Sequence, residues 1–232
     1  MSNEIILIFS LLCTFSAVLL FYKVLGKAGL FVWIGLATTL ANIEVLVQVQ
    51  AFGLEQTLGN ILFASTFLAT DILSEIYGKN EGRLGVKTGI LSSGAFILIS
   101  QSWFLYTPSG GDFAMPSMEV IFSNTPRLVI VSLVVYAFVQ TIDVWLFDFL
   151  KEKTKGKNLW IRNNGSTMIS QGLNAILFNF GAFYGVFETA ILVDITIAAY
   201  AVYMVTSLLD TPFVYLAKNS FFQTISKKSL VI

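Results

Sequence analysis

Six carboxylates lie within long apolar runs of this sequence: Glu44, Asp71, Glu75, Asp143, Asp148 and Asp210. No lysine or arginine sits in the core of those runs, so at their own depth the acids lack a basic partner. Three resolutions are open: a bound proton, hydrogen bonds from neighbouring amides, or a ligand that brings the donors. Helical spacing groups the acids with uncharged polar residues. Asp71 and Glu75 are four apart, Gln140 and Asp143 three apart, and Gln171 and Asn174 three apart. Asn42 and Glu44 lie on nearby faces, with Glu44 over Gln48, and Tyr203, Thr206 and Asp210 make a further stripe. Such stripes most economically face one another around a polar cavity. The candidate substrate-binding set is Asn42, Glu44, Asp71, Glu75, Gln140, Asp143, Gln171 and Asn174.

Structural roles compete with that reading. Glu75 and Asp148 lie where Lys151, Lys79 or Arg162 could pair with them at the membrane surface. The amides could simply join helices, at about 1 kcal/mol per contact.

Several chemistries are excluded. Histidine is absent and Cys13 is the only cysteine, which removes disulfides and every His- or Cys-rich metal site. No metal and no cofactor is expected. The hydrolase, metalloprotease and intramembrane-protease motifs are missing, so no catalytic residue is assigned and the chain is not read as an enzyme. An Asp71–Asp143 acid dyad is a remote alternative. Net charge is zero with no basic tail, which gives nucleic-acid binding no electrostatic support.

The elements that hold these residues follow from composition. The chain is 56% hydrophobic and 12% charged, against about 25% charged in soluble domains. Uninterrupted apolar stretches reach the roughly 20 residues needed to cross a bilayer. They neither alternate nor stop at barrel-strand length, so they are helices. The first lacks the basic start and small-residue cleavage site of a secretory signal and is read as a retained span. The expected fold is all-α, a polytopic transmembrane helix bundle forming one domain over residues 1–232. Seven spans are predicted: Glu4–Tyr22, Ala28–Ala51, Leu58–Tyr77, Val86–Tyr106, Arg127–Phe149, Ser166–Phe187 and Ala190–Leu216. If the sixth, weakened by Gln171, Asn174 and Asn179, is re-entrant, six remain. With the N-terminus outside and the C-terminus cytoplasmic, every lysine and arginine but Arg127 falls inside, as the positive-inside rule requires. Gly78 is expected to end the third helix, and Asn163, Asn164 and Ser166 to cap the start of the sixth. Trp33, Trp103, Trp145 and Trp160 are expected at the interfaces.

Four segments carry a resemblance: LGNILFASTFLATDILSEIYGK (58–79), VQTIDV (139–144), RNNGSTMISQ (162–171) and SLLDTPFVY (207–215). In this order they resemble the VUT family of vitamin uptake transporters, better described as queuosine precursor transporters. The resemblance implies a multi-pass importer in the bacterial (inner) membrane for 7-deazaguanine precursors: a nitrile form, an aminomethyl form or queuine. By motif, Asn42, Asp71, Glu75, Gln140, Asp143, Arg162, Ser166, Thr167 and Gln171 match the family's polar positions. Asn174 stands where the family pattern has an acid, and Glu44 where similar sequences carry an uncharged residue. The implied partners are a purine-like base and the lipid bilayer, with a homodimer among the assemblies left open. A carboxylate would accept the base's ring N–H and amine together, an amide would donate to its carbonyl, and Phe67, Tyr136, Phe178 or Tyr203 could stack on its plane. The alternative is the substrate-binding subunit of an energy-coupling-factor vitamin importer. Its small-residue docking face on the first helix is represented here only by Ser10 and Thr14.

Overall fold

The computed structural model describes residues 2–122 and 126–219. Within them run eight helices: α1 (Asn3–Leu25), α2 (Lys27–Glu44), α3 (Gly59–Ile76), α4 (Lys79–Trp103), α5 (Met115–Phe122), α6 (Pro126–Lys153), α7 (Leu159–Phe183) and α8 (Thr189–Lys218). A two-stranded antiparallel hairpin, β1 (Gln48–Ala51) and β2 (Leu54–Thr57), joins α2 to α3. Four helices, α1, α4, α6 and α8, are long and apolar enough to cross a membrane by length and composition.

Polarity is distributed inside out. Leu91, Leu98, Ile130, Val134, Phe138, Ile197 and Leu208 face outward and exposed. The interior buries Ser65, Thr66, Thr70, Asp71 and Ser74 from α3, and Arg162, Asn163, Asn164, Ser166, Thr167, Ser170, Gln171, Asn174 and Asn179 from α7. That arrangement suits an apolar solvent, where exposed polar groups would cost several kcal/mol each. An apolar cluster on one side of the bundle locks α1, α2, α3 and α8 together through Phe15, Tyr22, Ile34, Leu68, Ile72 and Val214.

Ion pairs show how the helix ends are arranged. Glu75 at the end of α3 meets Arg162 near the start of α7, Lys151 at the end of α6 and Lys218 at the end of α8. Lys79 at the start of α4 lies 3.8 Å from Asp148 near the end of α6, and Lys27 at the start of α2 lies 3.0 Å from Glu81 of α4. One face therefore gathers the starts of α2, α4 and α7 with the ends of α3, α6 and α8. At the opposite face, Arg127 at the start of α6 donates to the carbonyls of Gly181 and Tyr184 at the end of α7. Consecutive long helices thus run in alternating directions.

Three expectations need correction. The second apolar stretch does not continue as helix to Ala51. α2 stops at Glu44, and the β-branched and Gln-rich segment after it pairs as the hairpin, turned by Phe52 (φ 54°) and Gly53 (φ 73°). Two positive φ values in a two-residue loop match the twist of paired strands. The hairpin docks on α1: Phe52 N–H donates to Glu4, and Asn3 donates to Gln50 O. The long connection after α4 contains α5. α7 begins at Leu159, not at Ser166, because the left-handed turn at Lys155, Gly156 and Asn158 starts it earlier. Asn163, Asn164 and Ser166 therefore lie inside the helix and act laterally. Asn163 donates to Asp210 at 2.6 Å, and Asn164 donates to Thr211 at 2.7 Å. Trp33 is buried rather than interfacial and donates to Ser65. Gly78 (φ 92°) follows α3 as expected, and Trp145 and Trp160 are exposed.

Candidate functional site

A cavity of about 390 Å³ occupies the half of the bundle opposite the ion pairs. That volume lies in the range of small-molecule sites. Leu46, Gln48, Gln101 and Phe187 on its wall are exposed, so it reaches the surface there. A narrower pocket of about 90 Å³ shares Asn42, Asn60, Ser132, Asn174, Phe178 and Tyr203 with it and extends deeper, past Phe63, Ser93 and Tyr136.

Each wall comes from one helical stripe. α3 presents Asn60 and then Phe63, whose ring packs edge-on against Tyr136 at 5.8 Å. α6 presents Ser132 and Tyr136, four residues apart, and α7 presents Asn174 and Phe178, also four apart. A chain of hydrogen bonds crosses the site. Asn174 Nδ2 donates to the Tyr203 hydroxyl (3.3 Å), which donates to Asn60 Oδ1 (2.9 Å). Asn42 Nδ2 donates to Thr38 O within its own helix (2.7 Å). All the described polar residues on the walls are uncharged.

The predicted residues separate into three groups. Asn42 and Asn174 line the cavity. Gln140, Asp71, Asp143 and Gln171 form a sealed layer beneath it, each at most 1% exposed. Gln140 is held structurally: its Nε2 donates to Thr66 at 2.7 Å, and Thr70 donates to its Oε1 at 3.3 Å. Ser170 donates to Asp143 at 2.8 Å and Thr167 to Asp71 at 3.5 Å. Asp71 Oδ1, Asp143 Oδ2 and both polar atoms of Gln171 have no hydrogen-bond partner among the described residues.

Glu75 and Glu44 form the third group, away from the cavity. Glu75 is clamped by Arg162, whose Nε and Nη2 reach its two oxygens at 3.0 and 2.7 Å. This is the structural role weighed for Glu75 from the sequence, pairing with Arg162 and Lys151, as Lys79 lies beside Asp148. Arg162 is fully buried, and its guanidinium also donates to Lys157 O. Glu44 is the last residue of α2, half-buried, and does not line the cavity. Of the aromatic candidates, Tyr136, Phe178 and Tyr203 line it, while Phe67 is buried against Val135 and Val139.

Asn60 and Ser132 line the cavity but are not among the candidates named from the sequence. The signal was present: Asn60 is eleven residues before Asp71, three turns along one face of α3, and Ser132 is one turn before Tyr136. Among the described residues, no group of three acids converges as metal ligands would.

Fold and site together define a helical membrane protein with a small-molecule cavity between its helices. Comparison with known proteins gives the class a family. A family described as “Putative vitamin uptake transporter” matches residues 57–217, and this chain belongs to it. A Bacillus subtilis (strain 168) protein named “Probable queuosine precursor transporter” is 38% identical over 220 residues, covering 94% of this chain and 96% of its own length. No solved structure matches the chain. Family membership makes this a multi-pass membrane transporter rather than an enzyme.

Proposed function

We propose that this chain imports queuosine precursors, 7-deazaguanine bases for tRNA modification, across the bacterial cytoplasmic membrane. Identity to the named relative along almost the entire length supports the substrate class. The observation that carries the reading to a mechanism is the amide- and aromatic-walled cavity, open on one side of the bundle and closed on the other. Asn42, Asn60 and Asn174 offer hydrogen-bonding groups to the edge of a planar base, and Tyr136, Phe178 and Tyr203 offer faces to its rings.

The single membrane domain crosses seven times, through every helix except α5, with the N-terminus outside. Alternating helix directions and the collection of basic residues at the ion-pair face support that topology, since lysine and arginine favour the cytoplasmic side. α7, an unbroken helix of 25 residues, is then a full crossing rather than a re-entrant segment. The cavity faces outward, and the layer of Asp71, Gln140, Asp143 and Gln171 separates it from the cytoplasm. Transport requires that layer to open, and its unpartnered oxygens and amide become the next contacts for the base.

Proteoliposomes containing the full chain test the proposal. They should take up labelled 7-deazaguanine precursor in a saturable manner, and excess unlabelled base should suppress that uptake. Uptake no greater than in empty liposomes for every precursor would remove the assignment.

A further inference from the structure

One stripe of α7 holds three buried acids, each from a different helix. Asn163 donates to Asp210 of α8 at 2.6 Å, Thr167 to Asp71 of α3 at 3.5 Å and Ser170 to Asp143 of α6 at 2.8 Å. Positions 163, 167 and 170 follow one helix face, so the three contacts fall within two turns, roughly 10 Å along the axis. Asp71 and Asp143 are fully buried and Asp210 nearly so.

Among the described residues, no lysine or arginine pairs with any of the three. The basic groups toward the rim are engaged there. Arg162 forks onto Glu75 and donates to Lys157 O, Lys151 and Lys218 reach Glu75, and Lys79 lies beside Asp148. Tyr136 and Tyr203 stand on the cavity side. The buried faces of α2 and α4 carry no ionisable group, and α1 adds Tyr22, which accepts from Tyr77 at the rim. Three ionised carboxylates enclosed in this way would repel one another with no counter-charge beside them, and such burial is costly.

The layer is also short of donors. Asp71 Oδ1, Asp143 Oδ2, Asn163 Oδ1 and Gln171 Oε1 are buried acceptors without a donor among the described residues, against the one unpartnered amide donor of Gln171. Gln171 is 1% exposed and lies on the α7 face between Thr167, which holds Asp71, and Asn174, which lines the cavity. A proton on a carboxylate turns one acceptor into a donor and removes one charge. The acids are strung along the stripe rather than gathered around one point as metal ligands would be, which favours a proton over a metal cation.

We propose that Asp71 and Asp143 form a proton site, loaded from the cavity side and unloaded toward the rim, so that each imported base carries at least one proton with it. The inference rests on the proposed reading of the chain as an importer. The proton comes from water outside, binds a carboxylate oxygen to give a carboxyl group, and returns to water on the cytoplasmic side, with no other bond made or broken. A base moving inward from Asn174 meets Gln171 next, one turn from Thr167, so base and proton share the step that opens the layer.

Proteoliposomes containing the full chain, with the voltage clamped by potassium and its ionophore, test the coupling. The probe is the nitrile base, which has no ionisable side group. With the outside about one pH unit more acidic, the wild type should accumulate labelled base toward about tenfold over the outside. A pH dye inside should report acidification that depends on added base. A plateau at equal concentrations, or uptake without base-dependent acidification, overturns the inference, as does accumulation driven by a sodium gradient in place of the acid one. Asp71→Asn combined with Asp143→Asn removes the site. Whatever its rate, uptake by a doubly substituted protein that elutes and melts like wild type should level at equal concentrations. Accumulation like wild type in that protein overturns the assignment to these two residues. Should it not fold or transport, the wild-type proton signal alone decides. Absence of any uptake by the wild type is a different outcome and removes the importer reading, and the coupling with it.

Discussion

Residues of one chemical type play separate roles here, and surroundings decide which. Asp71 and Asp143 share a sealed layer with hydroxyl donors, Asp210 is held by Asn163, and Glu75 is neutralised by Arg162. Arg162 is the most exacting of these. Its side chain is 0% exposed and its partner's 3%. Removing Arg162 takes away the fully buried two-pronged partner of Glu75 and leaves it with Lys151 and Lys218 from the more exposed rim, where breaking a buried pair costs up to roughly 3–5 kcal/mol. Arg162→Met should therefore lower the thermal midpoint of the purified protein sharply. Arg162→Met combined with Glu75→Gln should recover part of the loss. A single variant that melts like wild type would show the pair to be dispensable. Helical spacing groups Asp71 with Glu75 and Gln171 with Asn174, yet the structure separates the members of both pairs: Glu75 meets Arg162, and only Asn174 lines the cavity. Sequence alone does not say which of these residues meet the cavity, because spacing along a helix gives a direction but not what fills the opposite wall. Asn42 and Asn174 reach the cavity, while Asp71 and Gln171, on equally regular stripes, meet other side chains first.

At the scale of elements, the cavity depends on how closely α4 approaches α6. A Cβ at Gly89 would collide with the ring and hydroxyl of Tyr136 on α6, while one at Gly82 would meet the Ser74 hydroxyl on α3, where α4 packs on α3. Glycine is therefore required for close packing at both positions, independently of backbone dihedral. Gly89→Val should displace Tyr136, which forms the deep wall of the cavity, and reduce base uptake more than it reduces the amount of folded protein. Uptake per folded molecule equal to wild type would contradict this placement. Apolar length and bounding charges made the seven long helices legible. Their ends were less so. The segment up to Ala51 reads as continued apolar helix, yet Gln48–Ala51 pair as a strand with Leu54–Thr57 once Phe52 and Gly53 turn the chain. Asn163 and Asn164 resemble caps by residue type, but their partners, Asp210 and Thr211, lie 47 positions away and only the fold brings them close.

The whole molecule is graded along its long helices. A neutral, open cavity occupies one half, a sealed polar layer the middle, and a basic, ion-paired rim the other end. The rim joins α3, α6, α7 and α8 through Glu75, and on the topology proposed above it lies at the cytoplasmic end. This order predicts a cytoplasmic C-terminus. A reporter active only in the cytoplasm should work when fused there, and one active only outside should not. The reverse pattern would invert the direction assigned to the cavity.

The most direct test of the central claim is made in cells. In a host that cannot synthesise queuosine, the gene is deleted and then restored, and tRNA queuosine is measured with each precursor supplied. Queuosine should fall on deletion and return with the wild-type gene for at least one precursor. Unchanged tRNA modification with every precursor would contradict the account.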